Sequence, residues 1–164
     1  FLSPDENNSI IARILKNKKH FNVVFFPNMT KNSTYNEFLN GGHIIIGMSG
    51  GEGWGLPEFQ SVGIGKHSVI MDAHGYKSWA TEENSVLVPP SEKIDAYDNV
   101  FFQKGSEFNQ GKIFDFDEDS FIDGYEKALE RHKDNPVNEQ GLKIQDEFSP
   151  SKTFDSIISM LSDI

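Results

Sequence analysis

Residues 49–57 read Ser-Gly-Gly-Glu-Gly-Trp-Gly-Leu-Pro, so glycines at 50, 51, 53 and 55 surround one carboxylate, Glu52. Glycine loses more backbone entropy on folding than any other residue. It belongs where φ must be positive or where another group must approach the main chain closely. The stretch follows a β-branched run at 43–47 and precedes an amphipathic stretch from about Leu56 or Pro57 to Ile64. In such a strand–turn–helix unit the first helical amides lack intrahelical acceptors, and the helix dipole adds about half a positive charge there. The chemistry open to the turn is therefore capture of an anion, a diphosphate in particular. Glycine counting alone divides evenly between that and a tight turn that needs glycine for its own geometry. The Gly-x-Gly-x-Gly spacing differs from the dinucleotide fingerprint, and the absence of a following Gly-Lys-Ser/Thr excludes a Walker loop.

The elements that must position this turn follow from hydrophobic period and punctuation. Ser3-Pro4-Asp5-Glu6 reads as a helix start, with Ile10, Ile11, Ile14 and Leu15 at helical spacing to about Lys18. Continuous apolar runs at 22–26, 43–47, 67–71 and 85–88 read as strands. Residues 33–39 form a short helix capped by Asn32 or Ser33 and stopped by Gly41-Gly42. Strands apolar throughout and alternating with helices predict a parallel sheet covered on both faces. From 91 to 116 this alternation gives way to a loop or hairpin excursion. Helices return at 118–133, capped by Asp117, at 138–147, and from Ser149-Pro150 to the end, where Phe154, Ile157, Ile158 and Leu161 share a face. The expected class is α/β, an open Rossmann-like parallel sheet with helices on both faces, formed by residues 1–164 as one domain.

Composition narrows the partners. Twenty-five acidic against 15 basic residues give a formal charge of −10, the wrong sign for a nucleic-acid or anionic-membrane surface. With no cysteine there is neither a disulfide framework nor a thiolate metal site. Apolar runs of about five residues fall far short of a membrane span, and no cationic-then-apolar leader opens the chain. A soluble cytoplasmic protein is expected. Phe1 in place of an initiating Met fits a fragment of something longer.

The order of residues says more than their count. Glu52-Gly53-Trp54-Gly55-Leu56-Pro57, continued by Gly65, Val69, Ile70 and Gly75, resembles the nucleotide-binding, C-terminal half of retaining GT-B glycosyltransferases of the family 4 type. The six-residue string would arise by chance in roughly one of ten million windows. The likeness covers about Asn22 to Pro90 and, more loosely, the terminal "FSPSKTFDSIISML". It implies a transferase domain that binds a nucleotide-diphosphate hexose without a metal or other cofactor. A hydroxyl acceptor would be held by a missing N-terminal domain, so the chain alone would be inactive. The catalytic position falls on Glu52, facing the donor sugar. The diphosphate and sugar would lie against Gly53, Trp54, Gly55 and Leu56, flanked by His74 and Lys77. The family's ribose-binding Glu, eight residues after the first, is Gln60 here, which bonds a hydroxyl without the charge-assisted acceptor. The family's Gly-x-Pro becomes Gly65-Lys66-His67, and its upstream Arg and Lys have no counterpart before Asn22. A non-catalytic nucleotide- or sugar-binding module of the same fold, or a structural domain that assembles with a partner, stands as the alternative.

Other residues carry two readings each. Arg13, Lys16, Lys18 and Lys19 sit on a surface helix or serve the diphosphate. Lys66 and Lys77 are solvated or flank the site, and His74 is a ligand or an idle loop histidine. Asp72 caps a turn at a strand end; His43 and His67 open strands as structural residues. Trp54 packs under the turn and Trp79 is a possible stacking surface. Phe101, Phe102, Phe108, Phe114 and Phe116 read as core, and residues 107–111 as a turn able to close over a ligand.

Overall fold

The computed structural model describes residues 9, 11, 12, 16, 22–26, 28–97, 102–108 and 111–162. Contacts divide the chain into Phe1–Tyr35 and Asn36–Ile164. In the first unit Ser9, Ile11 and Ala12 are helical and Lys16 is an exposed turn residue; the rest of the expected opening helix, with Arg13, Lys18 and Lys19, lies outside the described residues. Residues 22–26 form no strand, and Val24, Phe25 and Phe26 are exposed. That corrects the strand expected there. An apolar run becomes a strand only where a neighbour completes its hydrogen-bond ladder, so composition alone does not suffice.

Helix α1 (Asn32–Gly41) ends at the glycine pair and leads into β1 (Ile44–Gly47). After the glycine turn come α2 (Leu56–Gly63), β2 (His67–Met71), a 3-10 turn at His74–Ser78 and β3 (Val86–Val88). The three strands form a parallel sheet in the order β1-β2-β3, with Gly47 opposite Ile70 and Met71 opposite Val88. Every residue of β2 is buried, as a central parallel strand requires.

The two faces of β2 define two cores. Val69 joins Val86, Val88 and Ala128 on one side; Ile70 joins Val62, Tyr76, Trp79 and Ile144 on the other. Each such aliphatic side chain contributes about 1.5–3 kcal/mol through burial. The first face is covered by α3 (Glu118–Asp134), which approaches closely at Gly124, where an added Cβ would lie 2.8 Å from a Val88 methyl. Asp117 caps α3 as expected, its Oδ1 accepting from the Ser120 amide at 2.9 Å. The second face is covered by α2 together with α4 (Glu139–Leu142) and α5 (Ile144–Glu147). The chain is thus α/β, with a small three-stranded parallel sheet and helices on both faces.

The excursion at 91–116 contains an antiparallel ribbon, β4 (Glu92–Asp95) with β5 (Lys112–Asp115). The last helix, α6 (Pro150–Ser162), has the expected apolar face, yet Phe154, Ile157, Ile158 and Leu161 are all exposed. Phe114 and Phe116 pack against the core. Phe102 and Phe108 are exposed, Phe108 to 94%, a correction to their assignment as core. Phe101, Asn109 and Gln110 fall outside the described residues. Among the described residues no helix is long and apolar enough to cross a membrane.

Candidate functional site

Strand β1 delivers the chain to the turn at its carboxyl end, and β2 delivers Asp72 and His74 to the same end of the sheet, where open parallel sheets bind ligands. The turn is fixed from both sides by main-chain bonds. Gly75 N–H donates to the Glu52 carbonyl at 3.1 Å, and Phe114 N–H of β5 donates to the Gly50 carbonyl at 2.9 Å. His74 Nε2 donates to the Ser49 carbonyl at 2.8 Å. That bond places the ring proton on Nε2 and leaves Nδ1 buried with no partner among the described residues. His74 itself holds φ at 41°, the non-glycine residue with positive φ among those described.

The glycines divide by cause. An added Cβ at Gly50 would lie 2.5 Å from the Phe114 carbonyl oxygen, and one at Gly75 would lie 2.2 Å from that of Gly53. Gly55 has φ 74°, and its Cβ would fall 2.0 Å from Tyr76 Cε1. These three are demanded by the protein's own packing. Gly51 meets only an ordinary contact with Ile113, and Gly53 has open space above it. Room for a ligand against the turn therefore lies at 51–53.

Gly55 is the N-cap of α2 without any side-chain hydrogen bond, and Pro57 stands in the first turn, where its missing N–H costs nothing. Glu58 folds back toward this end: its Oε2 would lie 3.1 Å from a Cβ on Gly55, and its Cγ 2.7 Å from one on Gly47. Burial pushes the Glu58 carboxyl above the ordinary carboxylate range; its own backbone amide opposes this, and the Glu52 charge adds to it. Tyr76 is fully buried, and its Oη donates to no acceptor among the described residues. Burial, then Glu58 and Glu52, raise its phenol pKa, and hydrogen bonding from the Ser49 backbone acts in the other direction. The structure thus brings together Glu52, Glu58, His74 and Tyr76. Neither Glu58 nor Tyr76 is singled out by the sequence reading, although Glu58 stands three residues after the Gly55 cap, the position from which a carboxylate reaches back to a helix start.

The remaining expected residues are placed as follows. Trp54 packs under the turn, edge-on to Phe59 and Phe148 at 5.6 and 5.5 Å. Leu56 is exposed. Lys77 pairs with Asp72 at 3.0 Å, and Lys66 Nζ donates to the Asn40 carbonyl at the end of α1 at 2.8 Å. Gln60 does not join the Glu52 cluster. It lies on the exposed side of α2, on a cleft of about 420 Å³ shared with Asn36, Phe59, Gln145 and Phe148. Trp79 is buried, not a stacking platform. His67 is buried with Nε2 donating to the Asn135 carbonyl at 2.8 Å, and His43 stacks on His132 at 4.8 Å, which suits structural roles. Among the described residues no group of three or more His, Asp or Glu side chains is placed to hold a metal.

Comparison with protein-family models and with curated proteins returns no match for this chain.

Proposed function

We propose that the chain is the donor-binding part of a GT-B retaining glycosyltransferase that moves a hexose from a nucleotide diphosphate to a hydroxyl. The supporting observation is the position of Glu52–Pro57. The string lies between the carboxyl end of β1 and the start of α2, with no side-chain cap hydrogen bond from the N-cap residue Gly55 and open space at Gly53. In this reading the amides of Trp54, Gly55 and Leu56 face the diphosphate, Glu52 faces the sugar, and Gln60 meets the ribose. Preorganised amides aimed at a leaving diphosphate favour its departure.

A second reading, a binding module without catalysis, draws on two features. Gln60 lacks a carboxylate, and Lys77 and Lys66 are each engaged by the protein rather than turned toward the turn.

Calorimetric titration with uridine, guanosine and adenosine diphosphates tests both readings. Saturable binding weakened by Glu52→Ala, and tightened by Gln60→Glu, supports a nucleotide site; no binding at millimolar ligand overturns both. Hexose transfer by the chain joined to its acceptor-binding domain, lost in Glu52→Ala, would separate the enzyme from the module.

A further inference from the structure

The N-terminal end of α2 is occupied by the protein itself. Glu58 is the third residue of this eight-residue helix, and its carboxylate turns back beside the uncapped Gly55. That is where the dipole and the unpaired amides favour negative charge. A second feature marks the same place as unfinished. Tyr76, with 0% exposure, passes under Gly55 and brings its Oη to the end of β1, where a Cβ on Gly47 would be 3.0 Å from it. That hydroxyl is buried and donates to no acceptor among the described residues, and a buried donor left unpaired costs about 1–3 kcal/mol.

The groups facing Glu58 are few. The turn contributes Glu52, of like charge; the 3-10 turn contributes Tyr76, on which His74 stacks at 5.0 Å. Lys77 of the same segment is paired with Asp72. No described lysine or arginine pairs with Glu58. A bound anion would add a third like charge beside Glu58 and Glu52, which disfavours the ionised carboxyl further.

We infer that Glu58 and an anionic ligand compete for the start of α2, so that an anion binds the turn only as the Glu58 carboxyl takes up a proton. This rests on the reading of the turn as an anion site and adds its regulation: the site loads as pH falls and empties as pH rises. The neutral carboxyl removes the like charge, and the Tyr76 hydroxyl gains an acceptor in the incoming oxygen.

Inorganic sulfate is the probe, because its charge is constant across the working range. Binding to the 164-residue chain is followed by the amide shifts of Trp54, Gly55 and Leu56 from about pH 5 to 8, in wild type, Glu58→Gln and Glu58→Ala. In wild type the dissociation constant should rise by up to about tenfold per pH unit above the Glu58 ionisation. Both variants should lose that slope and bind sulfate more tightly than wild type at the upper end of the range. Persistence of the full slope in both variants assigns it to a group other than Glu58 and overturns the inference, as does unchanged affinity at high pH. No binding in any chain at any pH overturns the inference and the anion site together. Sulfate binding with the expected slope, while nucleoside diphosphates bind no better than sulfate, overturns the nucleotide reading alone.

Discussion

The indole Nε1 of Trp79 donates to the main-chain carbonyl of Trp54 at 2.8 Å. A buried side chain from beyond β2 thus holds the turn immediately after the open Gly53. Replacing Trp79 by Phe keeps a ring in the core but removes the donor. The Trp54 carbonyl would then lack its partner, at a cost of about 1–3 kcal/mol. A lowered urea midpoint should be accompanied by faster hydrogen exchange at Gly75, whose amide bonds across the turn to the Glu52 carbonyl, and at Phe59, whose amide makes the first bond of α2 to the Gly55 carbonyl.

Gly55→Ala and Gly53→Ala form a matched pair. At Gly55 the left-handed backbone costs an alanine about 1–2 kcal/mol, and the overlap with Tyr76 adds about 1–3 kcal/mol of overpacking. At Gly53 a methyl group meets nothing within 4 Å, and the change should stay within about 0.5 kcal/mol. Thermal melts of the two variants decide the matter, since equal losses would contradict the division of the glycines by cause.

Stability should depend on pH through His67. Its folded-state pKa is lowered below the ordinary histidine value by burial, opposed by its bond to the Asn135 carbonyl and assisted by His132 and Arg131. The unfolded chain therefore binds more protons at this residue. Stability is complete above the unfolded value of 6.5 and falls as pH drops through the folded one. Glu58 works in the opposite sense, because its raised carboxyl loses stability as pH rises above 4.5. Chemical denaturation from pH 7 down to pH 5 should give a smaller loss in His67→Gln and a larger one in Glu58→Gln than in the native sequence.

Asn138 saturates its amide at the opposite end of the sheet. Its Nδ2 donates to the Lys66 and Asn84 carbonyls at 3.0 and 2.8 Å, and its Oδ1 accepts from the Gly141 amide. Asn138→Asp keeps the size but removes both donors and buries a charge facing two carbonyls. A loss of about 3–5 kcal/mol is expected, read as a fall in melting temperature that acid partly restores.

The parts of this fold that sequence made legible are those decided locally. The β2 run at 67–71 matches its strand at both ends, because a central parallel strand is buried on both faces and carries no polar alternation. Asp117 and the α3 start, and the position of the glycine turn, follow from capping and punctuation. What depends on a distant partner was not legible. Residues 22–26 have strand composition without a strand, and α6 keeps its period of 3.6 with its apolar face uncovered. The same holds in the site. Glu52 and His74 stand out by motif and place. Tyr76 becomes part of the cluster only because its ring passes beneath Gly55, and Gly50 is required only because β5 lies against it.

That distribution leaves a short window for engineering. Residues 50, 55 and 75 are committed to their neighbours, whereas at 51 and 53 a Cβ finds room, and Glu52 is tied through its main chain alone. A library randomised at 51–53 would explore new ligand chemistry on an undisturbed scaffold, and a selected clone's gain could be attributed to three side chains rather than to a refolded loop.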